Sequence, residues 1–252
     1  MTPDPVRDAF ARARRFVDAR GDEQARLRLA AALGDVSSDR LESALRWSGV
    51  RGTLAALAAL DAARALHASE VERIARWLEA AQRDDGSWAI EPDAPEAQRI
   101  VATGLLAGFL AKTSCARPAS LRSAGAFLAT RWGPERVQGG DFGAIAAYAH
   151  FFANTPHELS DAGLQWCGRE LERGFRSGRL AAWQAARVLA LCDARALPGA
   201  RLGADEIVLS LLAEQAADGG WLDAGAEAAC RVAVTIDAAV ALARLGGATP
   251  HR

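Results

Sequence analysis

Gln82-Arg-Asp-Asp-Gly-Ser-Trp88 occurs in this chain a second time as Gln215-Ala-Ala-Asp-Gly-Gly-Trp221, with Gln, Asp, Gly and Trp in the same register. Each copy follows an amphipathic run and precedes a run rich in Ala and Leu. The second run carries a Thr, Thr103 or Thr235, and a Leu seven residues beyond it, Leu110 or Leu242. Thr53 and Leu60 repeat that spacing without the loop. The two loops lie 133 residues apart, which leaves room for two degraded copies at a period of about 44, the size of one supersecondary repeat.

Between the loops the apolar residues recur at three and four, as in Val71, Ile74, Trp77, Leu78 and Ala81. That is helix periodicity, and alternating β-branched runs are nearly absent. Helices are expected to start near Pro5 and Asp22, a first pair read as an N-terminal cap over 1–37. Five hairpins follow within 38–252, with helices over 39–48 and 51–67, 69–82 and 95–112, 119–131 and 142–154, 159–173 and 180–193, and 204–216 and 227–245. Ser38, Ser69, Asp141 and Ser160 are the expected N-caps. The second helix of each pair is Ala, Leu, Gly and Val on most faces, which marks it as buried on most faces. The expected architecture is therefore all-α: a closed α/α toroid of five to six hairpins with these helices inside.

Composition narrows the function classes. The formal net charge is −1, which gives no general attraction to nucleic acid or anionic membrane. No apolar run reaches the roughly 18–20 residues of a spanning helix, so no integral membrane segment is expected. Cys115, Cys167, Cys192 and Cys230 are scattered without a C-x-x-C pair, which fits a reducing compartment, and a cytoplasmic location is expected. Lys112 is the only lysine among 30 basic residues.

Gln-x-x-Asp-Gly-x-Trp, followed by an Ala/Leu-rich helix opening near a Thr, resembles the repeat of the terpenoid-cyclase and protein-prenyltransferase superfamily. The resemblance covers about residues 39–245 by periodicity. It implies an α/α toroid in which Gln82, Trp88, Gln215 and Trp221 brace the fold rather than react. The acidic Asp-x-Asp-Asp motif of squalene-type cyclases is absent: Arg231-Val-Ala-Val precedes Thr235, and Arg99-Ile-Val-Ala precedes Thr103. The Asp, Cys and His set of the zinc-dependent prenyltransferases is also missing, so neither a metal nor a cofactor is expected.

Candidates for chemistry come from residues placed to face a central cavity. Asp237 lies one turn beyond the family's acid position, and in an apolar setting it would serve as a proton donor. The alternative is a carboxylate held by an Arg from an outer helix. Asp141 is either an acid at the cavity mouth or an N-cap. His150, flanked by Tyr148, Phe151 and Phe152, is either a proton shuttle beside aromatic faces or a satisfied core residue. Arg99 and Arg231 share one repeat position, with Arg51 near the equivalent end of the first inner helix, and would hold an anionic head group. Tyr148, Phe142 and Trp183 are candidate substrate-facing aromatics, core packing being the other reading for Trp183. Together these suggest an apolar, isoprenoid-like substrate and an acid-initiated cyclisation or rearrangement. The alternative is a non-catalytic scaffold that binds a peptide or protein partner.

Overall fold

Alanine and leucine at helical spacing, with glycine and proline between the runs, produce a chain of helices joined by short loops. The computed structural model describes residues 4–222 and 226–247. These hold α1 (Pro5–Arg20), α2 (Glu23–Ala32), α3 (Ser38–Ala44), α4 (Gly49–Ala62), α5 (Ser69–Ala81), α6 (Glu96–Ala111), α7 (Pro118–Ala129), α8 (Phe142–Asn154), α9 (Ser160–Arg176), α10 (Ala182–Leu191), α11 (Ala204–Ala213) and α12 (Ala228–Leu245). The fold is all-α, with no strand among the described residues.

Caps define the helix starts. Asp4, Asp22 and Asp141 accept from backbone N–H groups of the first turns of α1, α2 and α8. Three expected caps fall one residue late. Ser37, not Ser38, accepts from Arg40 N and caps α3. Ser69 and Ser160 are already helical, and their hydroxyls are used elsewhere, donating to Glu42 Oε1 and to the Thr155 carbonyl.

α5 and α9 are amphipathic while α6, α8 and α12 are more uniformly apolar, and this decides which lie deeper. On α5 the stripe Val71, Ile74, Ala75 and Leu78 is buried, while every residue of α8 from Ala144 to Phe152 is buried. The even helices pack in sequence, α2 on α4, α4 on α6, α6 on α8, α8 on α10 and α10 on α12, and α12 then packs on α2. The first helix packs along α12 and touches α11. α6 and α8 approach most closely through Gly104 and Gly108. A β-carbon on either would run into Ala147 or into the His150 ring.

The two Gln/Trp loops make the same set of contacts. Trp88 and Trp221 are fully buried, and their Nε1 atoms donate to Leu78 O and Leu211 O at 2.8 Å. Thr103 and Thr235 accept from the backbone N–H of Trp88 and Trp221. Gln82 donates to Gly86 O within its loop and to Ser120 O on α7. Gln215 donates to Gly219 O within its loop and to Ala9 O on α1. The second loop therefore treats the first helix of the chain as its next neighbour.

Candidate functional site

Charged residues set among apolar ones line the cavity. Five of the six even helices line it: Arg28 from α2; Arg51, Leu54, Ala55, Ala58 and Asp61 from α4; Phe109 from α6; Arg187 and Leu191 from α10; and Ala233, Ile236, Asp237, Val240 and Arg244 from α12. Its volume is about 480 Å³, within the range of small-molecule sites. The stripe at three- and four-residue spacing on α12 follows from helix geometry. The same geometry sets Arg187 and Leu191 on one face of α10.

Among the expected site residues, Asp237 and Arg51 lie on this wall. The Asp237 carboxylate is ion-paired with the Arg187 guanidinium. The partner comes from the adjacent even helix, not from an outer one. A carboxylate so paired accepts hydrogen bonds from the guanidinium.

At the far end, four charges interlock: Asp61 of α4 and Arg244 of α12 with Lys112 and Asp193, which lie just beyond the ends of α6 and α10. Lys112 Nζ reaches Asp61 at 3.4 Å and Asp193 at 2.6 Å, and Arg244 reaches the same two carboxylates at 2.9 and 3.4 Å. Arg244 also donates to the Ala190 and Asp61 carbonyls, which satisfies ends of α10 and α4. Asp61, Ala190 and Arg244 line both the chamber and a second cavity of about 780 Å³ beneath it. One layer of side chains thus forms the chamber floor.

His150 stands behind Phe109, edge to face with it at 4.6 Å between ring centres, and is fully buried. Its Nδ1 lies 2.9 Å from Leu191 O, and Nε2 has no hydrogen-bond partner. Burial, then the Lys112 charge, pushes its pKa well below the usual histidine value. Asp141 caps α8 and shares a smaller cavity, about 330 Å³ between α6 and α8, with Tyr148 and Arg136. Tyr148 donates to Arg131 O, and burial raises its pKa to about 12. Phe142 and Trp183 pack edge to face at 5.3 Å, and Trp183 Nε1 is buried without a partner.

Arg99 and Arg231 face the loops rather than the chamber. Arg99 binds Asp85 and Ser87, and Arg231 binds Asp218 through two contacts of 2.8 and 2.9 Å. The loop Asp of each repeat is therefore the anion that this shared Arg holds. Burial raises the pKa of Asp85, but the Ser87 hydroxyl and amide and Arg99 outweigh it and hold the carboxyl at about 2. Arg231 is the main cause that brings Asp218 to about 2.

Sequence reasoning passed over Arg28 and Arg187. Asp237 is singled out by its place one turn beyond the family's acid position, and no such reference points to α2 or α10. Among the described residues no group of three or more His, Cys, Asp or Glu is placed to hold a metal, and no helix is long and apolar enough to cross a membrane. The chain matches no protein-family description, no curated protein and no solved structure with which it was compared.

Proposed function

We propose that the protein is an α/α toroid of the terpenoid-cyclase type, and that its chamber binds a largely apolar small molecule such as an isoprenoid. The observation that carries this reading is the chamber itself, walled by Leu54, Ala55, Ala58, Ile236, Val240 and Phe109. Small alanines on α4 and α12 leave the volume, and the apolar surface around it favours an apolar occupant. The return of α12 to α2 is the contact order such a ring requires.

Binding is supported more strongly than turnover. An acid-initiated cyclisation needs a proton donor on the wall. Asp237 has the position, but its carboxylate is engaged by the Arg187 guanidinium. The scaffold alternative has little surface to work with, since Leu209 is the one large apolar side chain that stands exposed among the described residues.

Ala58→Trp would fill the chamber from α4. Farnesol should bind the wild type saturably in calorimetry and fail to bind this variant, whose melting temperature stays close to that of the wild type. Undiminished binding by the filled variant, or none by the wild type, would overturn the reading. Incubation with candidate polyenes, for the wild type and Asp237→Asn, separates binding from catalysis: turnover lost in the variant alone would establish the acid.

A further inference from the structure

The chamber has a charged pole that its apolar wall does not explain. Arg28, Arg51 and Arg187 face into it, with Asp237 the carboxylate among them. Asp61 and Arg244, on the floor, are balanced by Lys112 and Asp193. The pole itself is not balanced, having three guanidiniums to one carboxylate. Arg28 makes no ion pair among the described residues, and its Nε is shut off from water without a hydrogen-bond partner. Arg51 meets Glu91 only at 3.7 Å, with both side chains largely exposed, a contact that solvent screens. Burial lowers the pKa of both Arg28 and Arg187, the sign of cations short of solvation. Buried charges are normally paired. Arg28 is half-buried, and among the described residues only the Asp22 charge acts on it, without an ion-pair contact.

We infer that this pole is an anion subsite, so that the chamber's occupant is an amphipathic anion whose carboxylate or phosphate head is held by Arg28, Arg51 and Arg187, and that Asp237 is a resident counter-ion which the head group displaces from Arg187. The inference rests on the chamber reading above and fixes the chemical class of its ligand. Planar guanidiniums suit both heads, since each offers two parallel donors to two oxygens. A dianionic phosphate balances the excess charge of the pole and a carboxylate leaves half of it, so the phosphate should bind more tightly. Asp237 then competes with the ligand, which is the opposite of what a catalytic acid would do. Removing its charge should tighten anion binding.

The test uses one tail and three heads: farnesol, farnesoate and farnesyl monophosphate, titrated calorimetrically into the wild type, Arg28→Gln and Asp237→Asn. Removing one charge-assisted partner typically changes affinity by about tenfold or more. The wild type should therefore bind the monophosphate at least about tenfold more tightly than the alcohol, with the carboxylate between them. Arg28→Gln should remove most of that preference while leaving farnesol binding unchanged. Asp237→Asn should tighten both anions severalfold and leave farnesol unchanged; should that variant fail to fold, Arg28→Gln decides alone. Equal binding of all three heads by the wild type, or an anion preference that survives Arg28→Gln, would overturn the anion pole and leave the chamber reading standing. Weaker anion binding by folded Asp237→Asn would overturn the displacement of Asp237. If none of the three binds, both readings fall together.

Discussion

At His150 the imidazole is enclosed by Phe109, Leu191 and Asn154, and Gly108 leaves just enough room for it. Burial lowers its pKa, the Lys112, Arg244 and Arg187 charges push the same way, and the Leu191 carbonyl opposes them only in part. The folded protein thus holds it neutral, while the unfolded chain takes up a proton near pH 6.5. Protons bound by the unfolded state alone make stability rise with pH. The contribution is complete above pH 6.5 and is lost as pH falls below it, by up to about 1.4 kcal/mol per unit. Urea titrations of the wild type should show that slope between pH 6.5 and 5, and His150→Leu should remove it. Glu214, whose pKa burial raises, acts in the opposite sense at the acid end, so the difference between the two proteins isolates the imidazole. Parallel curves would show that His150 carries its charge in the fold and remains open to proton transfer.

The Gln/Trp loop is a clasp on the next outer helix, and its glycine is where that contact is tightest. Gly86 has φ +85, and an added β-carbon would lie 2.2 Å from Ser123 O on α7. Gly219 has φ +92 and would come 2.3 Å from Arg12 O on α1. Gly139 shares the left-handed backbone, φ +80, with open space around it. Gly139→Ala should therefore cost about 1 kcal/mol, the backbone penalty alone. Gly86→Ala and Gly219→Ala should each cost on the order of 3 kcal/mol, because the clash falls on helical backbone. Denaturant midpoints of the three variants check this, and a Gly219→Ala cost no larger than that of Gly139→Ala would mean that α1 is not clasped. The helices and this clasp were legible because period and turn chemistry are local, and the repeated phrase carries its own glycine, tryptophan and threonine. The role of α1 was not legible. Ala9 and Arg12 meet the second loop through backbone oxygens, and a backbone acceptor leaves no mark on the choice of side chain. The site was legible only in part for a related reason: helical spacing places Asp237 on an inward stripe, but which neighbour supplies its partner depends on how α10 and α12 cross. Arg99 and Arg231 shared a repeat position because they share a structural partner, the loop Asp, and the same spacing reads equally well as a shared ligand.

Over the whole molecule, α12 packs on the first two helices of the chain, and a contact that the same return makes with α4 can be measured energetically. Arg244 on α12 lies 2.9 Å from Asp61 on α4, and both side chains are only about a tenth exposed. Removing one partner of a buried pair leaves the other charge uncompensated, at a cost of roughly 3–5 kcal/mol. Here Lys112 and Asp193 soften that cost by remaining to share the surviving charge. The singles Asp61→Asn and Arg244→Met should each be strongly destabilising, and the double variant should lose less than their sum. The coupling expected for buried groups in direct contact is about 1–3 kcal/mol. Arg51 and Glu91, 3.7 Å apart and mostly exposed, supply the control, with a coupling expected below about 0.5 kcal/mol. Because the floor pair is shielded from solvent, 0.5 M salt should leave its coupling almost unchanged while erasing that of the control. In an open stack of hairpins α4 and α12 would stand far apart and the two single losses would simply add. Additivity within about 0.5 kcal/mol would therefore refute the return of α12 to the start of the chain, and with it the chamber that the proposed ligand binding requires.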